Sequence, residues 1–339
     1  MTRDLVRAGV RERREAVARS LRSVPPPATP LPVTAPPATP AGPSPRVSDV
    51  AVPSAHTGRM FSGPGPVRLS VLMPVLDEER TIAESVRTVL AQSYPCEVEL
   101  VVVDDGSTDA TPLELAAVVR EHAAREQARR DEGLPPGPGL RVLTHARNAG
   151  KGAALSTAAA VAHGTHLLPF DADLEYSVDD IPRLLEPVLR GRCDVVYGTR
   201  LFGANTVYHS YHYALGNKFT TFAANVLFNA ALTDLHTCLK LVPTALFRQF
   251  RPRTRGFALD TELTAWLLGH GVRPFEVPVS YYGRSHSMGK KITWRDGVAC
   301  LHTLGRVRFA RRPPLVVGPP VVPAPREPEP VLVDGGLPT

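Results

Sequence analysis

Two groups of carboxylates follow apolar runs in this chain. The segment from Val101 to Asp109 reads VVVDDGSTD, and the segment from Leu167 to Asp173 reads LLPFDAD. Each begins with an apolar run that is typical of a strand buried on both faces. In open α/β sheets, ligands bind in the crevice beyond the carboxyl ends of such strands. We therefore expect a ligand site where these carboxylates meet.

The chemistry of that site follows from the cost of burying charge. Several carboxylates removed from water together need a metal, a positively charged partner or polar ligand hydroxyls. The Asp171-Ala172-Asp173 segment, facing the Asp104-Asp105-Gly106-Ser107 turn, suits a divalent cation that carries a nucleotide diphosphate. Ser177 can cap the helix that follows, which leaves both aspartates of the second group for this task.

Strands and helices alternate around these groups, which predicts a mainly parallel sheet flanked by helices. Asp77 or Thr81 can cap the first helix, and Asp109 the second. The Gly150-Lys151-Gly152 segment opens an alanine-rich helix and, with Arg147, forms a candidate diphosphate site. The predicted strands are 69–74, 98–103, 140–144, 166–170, 194–197 and 275–282.

Composition sets the domain limits. The 35 prolines of the 339 residues crowd the two ends, where the sequence is too poor in core-forming residues to offset the entropy of ordering. We therefore predict a disordered Pro/Ala-rich segment at 1–66, one α/β domain at 67–312 and a disordered Pro-rich tail at 313–339.

Charge and cysteine content bear on partners and location. The net charge is +6, but the arginines are dispersed and form no stripe interleaved with aromatics, which excludes a nucleic-acid-binding role. The four cysteines form no Cys-x-x-Cys pair and suit buried thiols in a reducing compartment. With no apolar run of about twenty residues, we expect a cytoplasmic protein, at most peripheral at the inner face of the cell membrane. The sequence carries no prediction of the oligomeric state.

The order and spacing of five motifs resemble the family-2 glycosyltransferases with the GT-A fold. They are Pro74 with Glu78, the 103–109 segment, Asn148 to Gly152, Asp171 to Asp173, and Gly198-Thr199-Arg200. The second half resembles a bacterial subgroup related to dolichyl-phosphate and polyprenyl-phosphate sugar synthases. The matching segments are 232–240, 260–265, 276–284 and 289–292. Asp77 stands where the family usually has asparagine.

The resemblance implies a metal-dependent, inverting transfer of a sugar from a UDP- or GDP-sugar. Mg²⁺ or Mn²⁺ would be held by Asp173, with Asp171 helping through water, because these metals prefer oxygen ligands. Arg200 would bind the diphosphate or the acceptor phosphate, and Asp260 or Glu262 would act as base toward an acceptor hydroxyl. The residues expected at the donor are Pro74, Glu78, Asp104, Asp105, Lys151, Asp171, Arg284 and Lys290.

The sequence is compatible with more than one acceptor and more than one reaction. Polyprenyl phosphate is the preferred acceptor, and a saccharide or small-molecule hydroxyl is the alternative. Nucleotidyl transfer to a sugar phosphate would need a basic Gly-rich loop after the first strand, where this chain has acidic residues at 77–79. A binding protein without catalysis is the last alternative, and the intact Asp171-x-Asp173 pattern speaks against it.

Overall fold

The computed structural model describes residues 61, 65–201, 206–207, 211–254, 256, 258–283 and 294–316, all within one compact unit. The N-terminal 60 residues, the tail after 316, and the predicted site residues Arg284 and Lys290 lie outside the described residues. The strands are β1 Arg68–Val75, β2 Glu97–Asp104, β3 Gly139–Thr144, β4 His166–Pro169, β5 Val196–Thr199, β6 Thr206–Val207, β7 Lys240–Pro243, β8 Phe275–Pro278 and β9 Tyr281–Tyr282. The helices are α1 Ile82–Ala91, α2 Thr111–Asp131, α3 Lys151–Val161, α4 Ile181–Leu189, α5 Tyr211–Phe228, α6 Thr244–Phe247, α7 Leu259–Gly269 and α8 Trp294–Phe309.

Seven of these strands form one sheet in the order β3-β2-β1-β4-β7-β5-β8. Only β7 runs antiparallel to its neighbours in this sheet, and β6 and β9 form a small separate parallel pair. The predicted α/β class with a mainly parallel sheet is confirmed. The strand predicted at 275–282 is instead two strands, β8 and β9, which belong to different sheets.

Alternate residues of the central strands point into cores on opposite faces of the sheet. In β1, Val71 and Met73 pack into one hydrophobic cluster and Leu72 into another, and all three are fully buried. The first cluster includes residues of α1 and α4, while the second includes residues of α3 and α7. A strand covered on both faces must be apolar throughout, which explains the uninterrupted valines of β2.

The packed region extends beyond the limits predicted for the domain. Phe61 packs on the second core cluster, and its backbone N–H donates to Asp194 Oδ2 at 2.9 Å. At the other end Leu315 packs on the same cluster. Residues on both sides of the predicted 67–312 domain therefore contribute to its core.

One of the predicted helix caps is present: Ser177 Oγ accepts from the backbone N–H of Asp179 at 3.3 Å. Asp109 Oδ1 accepts from the N–H of Thr111 at 2.9 Å, but the residue at the N-cap of α2 is Ala110, and this helix has no side-chain cap. The prediction that Asp77 or Thr81 caps α1 is wrong, since the Thr81 hydroxyl instead donates to Glu78 Oε2 at 3.1 Å.

Candidate functional site

The carboxyl ends of β1, β2 and β4 lie along one edge of the sheet. Val75 at the end of β1 is in register with Asp104 at the end of β2. The parallel strand β4 pairs with the other side of β1 and ends at Pro169, two residues before Asp171. Both carboxylate groups therefore follow strands that end at the same edge, as the sequence predicts.

Asp77 joins the loop after β1 to the loop after β2. Its Oδ1 accepts from the backbone N–H of Thr108 at 2.8 Å, and its own N–H donates to Ser107 Oγ at 3.0 Å. Asp77 has a positive φ of 53°, a conformation that aspartate tolerates better than most residues. The carboxylate thus makes a backbone contact to the neighbouring loop at the position where the family usually has an amide.

Asp104 and Asp105 are adjacent and both buried, but their carboxylates differ in what they contact. Asp104 Oδ1 accepts from the N–H of Ser107 at 2.9 Å, while its buried Oδ2 has no hydrogen-bond partner among the described residues. Buried carboxylate oxygens normally have partners. Asp104 Oδ2 is therefore a candidate acceptor for a ligand N–H or hydroxyl.

Asp105 holds the loop that leads into α3. Its Oδ1 contacts His145 Nδ1 at 2.6 Å and accepts from the N–H of Ala149 at 3.0 Å, and its Oδ2 accepts from that of Gly150 at 2.7 Å. Both oxygens are engaged by the chain itself. A direct contact of Asp105 with a nucleoside stays a prediction, whereas its contacts to the loop at the start of α3 are observed.

Lys151, the first residue of α3, lies between two aspartates. Its Nζ is 2.8 Å from Asp171 Oδ1 and 4.0 Å from Asp260 Oδ2. Burial lowers the pKa of Lys151, but the negative charges around it, Asp171 foremost, outweigh burial and raise the pKa well above its ordinary value. The structure thus brings three of the predicted site residues into one charged cluster.

A second lysine, Lys240 of β7, is a buried member of this cluster. Its side chain is fully buried, and its ammonium lies 3.3 Å from Asp260 Oδ1 while donating to the carbonyl oxygens of Leu235 and Thr237. Burial would raise the pKa of Asp260, but Lys240 and then Lys151 lower it, and the net pKa is below the ordinary value. No role for Lys240 was predicted, because a lysine in a strand gives no sequence signal of complete burial.

Glu262 faces away from this cluster. Its Oε2 accepts from the backbone N–H groups of Arg253 and Thr254 at 3.0 and 2.9 Å and from the Thr254 hydroxyl at 2.7 Å. Its Oε1 accepts from Arg306 of α8 at 2.7 Å. Both oxygens are therefore occupied in tying α7 to the 253–254 loop and to α8, and of the two predicted bases only Asp260 reaches the charged cluster.

Arg200 forms a buried two-pronged ion pair with Asp234. Its Nε and Nη2 lie 2.6 and 2.7 Å from the two carboxylate oxygens, and its guanidinium carbon lies 4.9 Å from the centre of the Tyr281 ring. Burial opposes the charge of Asp234, but the Arg200 guanidinium holds the pKa of that carboxyl well below its usual range. Arg200 is thus engaged within the protein, and its contact with a phosphate stays a prediction.

The loop after β4 carries the predicted metal ligands. Asp173 Oδ1 accepts from the N–H of Glu175 at 3.1 Å, and Glu175 Oε2 accepts from the Tyr281 hydroxyl at 2.6 Å. Within the described ranges, no three side chains of histidine, cysteine, aspartate or glutamate cluster as metal ligands. Mg²⁺ is commonly held by one or two carboxylates together with substrate phosphates and waters. The partly exposed Asp171, already beside the Lys151 cation, and Asp173 fit a metal of that kind.

The remaining predicted donor residues have structural contacts of their own. Pro74 is partly buried in β1, and the backbone N–H of Glu78 donates to Thr111 Oγ1 at 2.9 Å. Their contact with a donor stays a prediction.

Comparison with known proteins decides the family. The model of glycosyl transferase family 2 matches residues 70–250, which extend from within β1 to beyond β7. The chain belongs to this family and is a glycosyltransferase. It is 27% identical over 258 residues, 73% of this chain and 69% of the relative, to a dodecaprenyl-phosphate galacturonate synthase of Rhizobium johnstonii.

Other relatives are matched over shorter parts of their length. The low-salt glycan biosynthesis hexosyltransferase Agl6 of Haloferax volcanii is 28% identical, with 64% of this chain and 48% of the relative covered. The bactoprenol glucosyl transferase of Shigella phage SfV is 32% identical, with 40% of this chain and 39% of the relative covered. The chain thus spans less than half the length of these two relatives. Among described helices, none is both long and apolar enough to cross a bilayer.

Solved structures of glucosyl-3-phosphoglycerate synthase from Mycobacterium tuberculosis share the fold. The complex with UDP is 21% identical, with a TM-score of 0.50 and coverage of 71% of this chain and 81% of that chain. The complex with Mn²⁺, UDP-glucose and phosphoglyceric acid is 19% identical, with a TM-score of 0.50 and coverage of 73% and 81%. These likenesses support the GT-A architecture expected from the sequence.

Proposed function

We propose that this glycosyltransferase moves a sugar from a UDP- or GDP-sugar to a polyprenyl phosphate, with Mg²⁺ or Mn²⁺ at the donor. The names of two relatives, a dodecaprenyl-phosphate galacturonate synthase and a bactoprenol glucosyl transferase, support this acceptor class. The order of the donor-side motifs along the sheet edge supports a nucleotide-sugar donor.

The observation that supports a phosphate acceptor is the position of Asp260 between two lysines. An acceptor hydroxyl needs a base whose pKa lies near the working pH. The pKa of Asp260 is lowered instead, because Lys240 and Lys151 outweigh the effect of burial. Such a carboxylate is a weak base, which suits an acceptor that is already ionised better than a sugar hydroxyl.

The proposed roles follow from the position of each side chain at the carboxyl edge of the sheet. Asp104 Oδ2, buried and without a partner among the described residues, would accept a hydrogen bond from the nucleoside. Asp173 and Asp171 would hold the metal. When bound, the metal would supply a Lewis acid for the charge on the departing diphosphate. Lys151, 2.8 Å from Asp171, lies where its ammonium would balance the negative charge of a diphosphate.

Initial-rate transfer distinguishes the acceptor classes. The protein is supplied with a panel of UDP- and GDP-sugars, Mg²⁺ or Mn²⁺, and either a short-chain polyprenyl phosphate in detergent or a set of saccharides. We expect transfer to the lipid phosphate with one donor and little transfer to any saccharide. Clear transfer to a saccharide, with none to the lipid phosphate, would overturn the proposed acceptor and favour the hydroxyl alternative.

A further inference from the structure

The outer face of α5 carries a stripe of exposed apolar side chains. The stripe residues are Tyr211, Leu215, Phe219, Phe222 and Val226, and each is between 49% and 74% exposed. Their spacing of four, four, three and four residues places all five on one face of an α-helix. Single exposed apolar residues are ordinary on proteins, but a continuous stripe with three aromatics marks an interaction surface.

The opposite face of α5 is packed against the protein. Thr220, Thr221, Ala224 and Phe228 are buried, and α5 packs on α7 and α8 through a hydrophobic cluster that includes Leu304. The helix therefore sits fixed in the fold, with the stripe facing outward and uncovered within the part of the chain that the structure describes.

The charged side chains described on α5 and at its C-terminus are basic. Helix α5 contains no aspartate or glutamate, and its one charged residue, Lys218, is exposed between stripe residues. At the helix C-terminus, Arg308 Nε donates to the carbonyl of Leu227 at 2.8 Å, and the neighbouring Phe309 is 81% exposed. An apolar face with aromatics and flanking basic residues is the pattern of helices that lie in the surface of an anionic bilayer.

We propose that the α5 stripe docks this enzyme on an anionic lipid bilayer, with Lys218 and Arg308 at the lipid phosphates. The proposal rests on the proposed function, because a polyprenyl phosphate is presented by a membrane. A membrane surface accepts a long convex stripe without a complementary pocket, and the basic residues match its charge.

The inner face of α5 connects this surface to the candidate site. Asn217 Nδ2 donates to Asp234 Oδ1 at 2.9 Å, and Asp234 holds Arg200. The Thr220 hydroxyl lies 2.7 Å from His236 Nε2, in the loop that leads to Lys240. A bilayer at the outer face of α5 would therefore lie one helix away from Arg200, the residue predicted to bind the diphosphate or the acceptor phosphate.

Vesicle flotation of the full chain tests the surface. Vesicles of phosphatidylcholine with phosphatidylglycerol are compared with vesicles of phosphatidylcholine alone, at low and high salt. We expect binding to the anionic vesicles that weakens with salt, and about tenfold or more weaker binding by a variant carrying Phe219→Ser and Phe222→Ser. The control is Leu113→Ser, which removes an apolar residue that is 73% exposed on α2, away from the stripe.

Each outcome decides a separate point. Absence of vesicle binding by the wild type, or equal binding by the double variant, overturns the docking surface. A dimer in light scattering that the double variant dissociates, without vesicle binding, assigns the stripe to a second copy of the chain instead. Transfer to detergent-dispersed polyprenyl phosphate without vesicle binding would support the proposed function and refute the docking surface. Vesicle binding without transfer to the lipid phosphate would support the docking surface and refute the proposed acceptor.

Discussion

The Nζ atom of Lys240 lies 3.3 Å from Asp260 Oδ1, and the lysine side chain is fully buried. A buried ammonium is costly unless it is paired, and Asp260 together with two carbonyl oxygens supplies the partners. Burial nevertheless lowers the pKa of Lys240, while the same pair lowers the pKa of Asp260. The two residues therefore form a buried ion pair beside the charged cluster of the candidate site.

Lys240→Met should shift the acid sensitivity of the protein to higher pH. Because the folded-state pKa of Asp260 is depressed, this carboxylate stabilises the fold above its unfolded pKa of about 3.9, and the contribution is lost as pH falls through the folded value. Without Lys240 the folded pKa rises, so we expect Asp260 in the variant to protonate at higher pH. The chemical shift of the Asp260 carboxyl carbon, followed from pH 7 to 3 in both proteins, measures this. Identical titration would refute the coupling, and Lys240→Arg serves as the charge-conserving control.

Asp260→Asn and Glu262→Gln should differ in their effects on stability and on transfer, although the two residues are close in the chain. Glu262 accepts four hydrogen bonds. In Glu262→Gln the side-chain NH₂ would face groups that are themselves donors, so we expect this variant to lose about 1–3 kcal/mol in unfolding free energy. Asp260→Asn should retain substantial transfer to a lipid phosphate at pH 7, whereas a hydroxyl acceptor would lose about 10²–10⁴ in rate. Denaturant unfolding and initial rates separate the two effects. A stable Glu262→Gln variant with abolished transfer would instead assign the role of catalytic base to Glu262.

Asp173→Ala should abolish metal-dependent donor binding and leave the fold intact. A donor present at one hundred times its dissociation constant stabilises the wild type by about 2.7 kcal/mol. We expect the variant to show no metal-dependent rise in melting temperature with the donor, while its melting temperature without ligand stays close to that of the wild type. The control is Asp131→Ala at the exposed end of α2, where the carboxylate accepts only from Gln127 among the contacts observed. Undiminished metal-dependent binding by Asp173→Ala would remove Asp173 from the proposed metal site.

His236 should make the fold sensitive to mild acid. Burial foremost lowers its pKa to about 4. In the unfolded chain the same group binds a proton near pH 6.5, so stability falls as pH drops from about 6.5 toward 4, by up to about 3 kcal/mol. His236→Gln, which keeps a partner for the Thr220 hydroxyl, should flatten the pH dependence across this interval. Unfolding free energies at pH 7, 6, 5 and 4.5 in both proteins measure it, and parallel curves would show that His236 is not the titrating group.

Parts of the fold could be predicted because the apolar runs of β1, β2 and β4 are long and end sharply at carboxylates. The two acidic groups therefore fell correctly at one edge of the sheet. What could not be predicted was the direction of single side chains. Asp104 and Asp105 read as one motif, yet only Asp104 leaves an oxygen without a partner among the described residues.

The same limit applies to α7. Residues two apart on a helix do not share a face, so Asp260 and Glu262 cannot both point into one site. The sequence contains no signal for which of them does, because the deciding partners, Lys240 and Arg306, are distant in the chain. Complete burial of Lys240 likewise depends on tertiary packing around β7.

The ends of the packed region supply the last prediction. A protein comprising residues 61–316 should melt close to the full chain, because the sequence outside these limits is too poor in core-forming residues. A protein comprising residues 67–312, the domain predicted from composition, should be less stable by about 2 kcal/mol. The loss has three sources: Phe61 and Leu315 leave the second core cluster, the Phe61 N–H loses its bond to Asp194, and the paired hydrogen bonds between Val316 and Gln249 are broken. For a domain of this size, we expect a melting temperature roughly 4–8 °C lower. Equal melting of the two proteins would show that these contacts contribute nothing, and a large loss already in 61–316 would show that the terminal segments stabilise the domain.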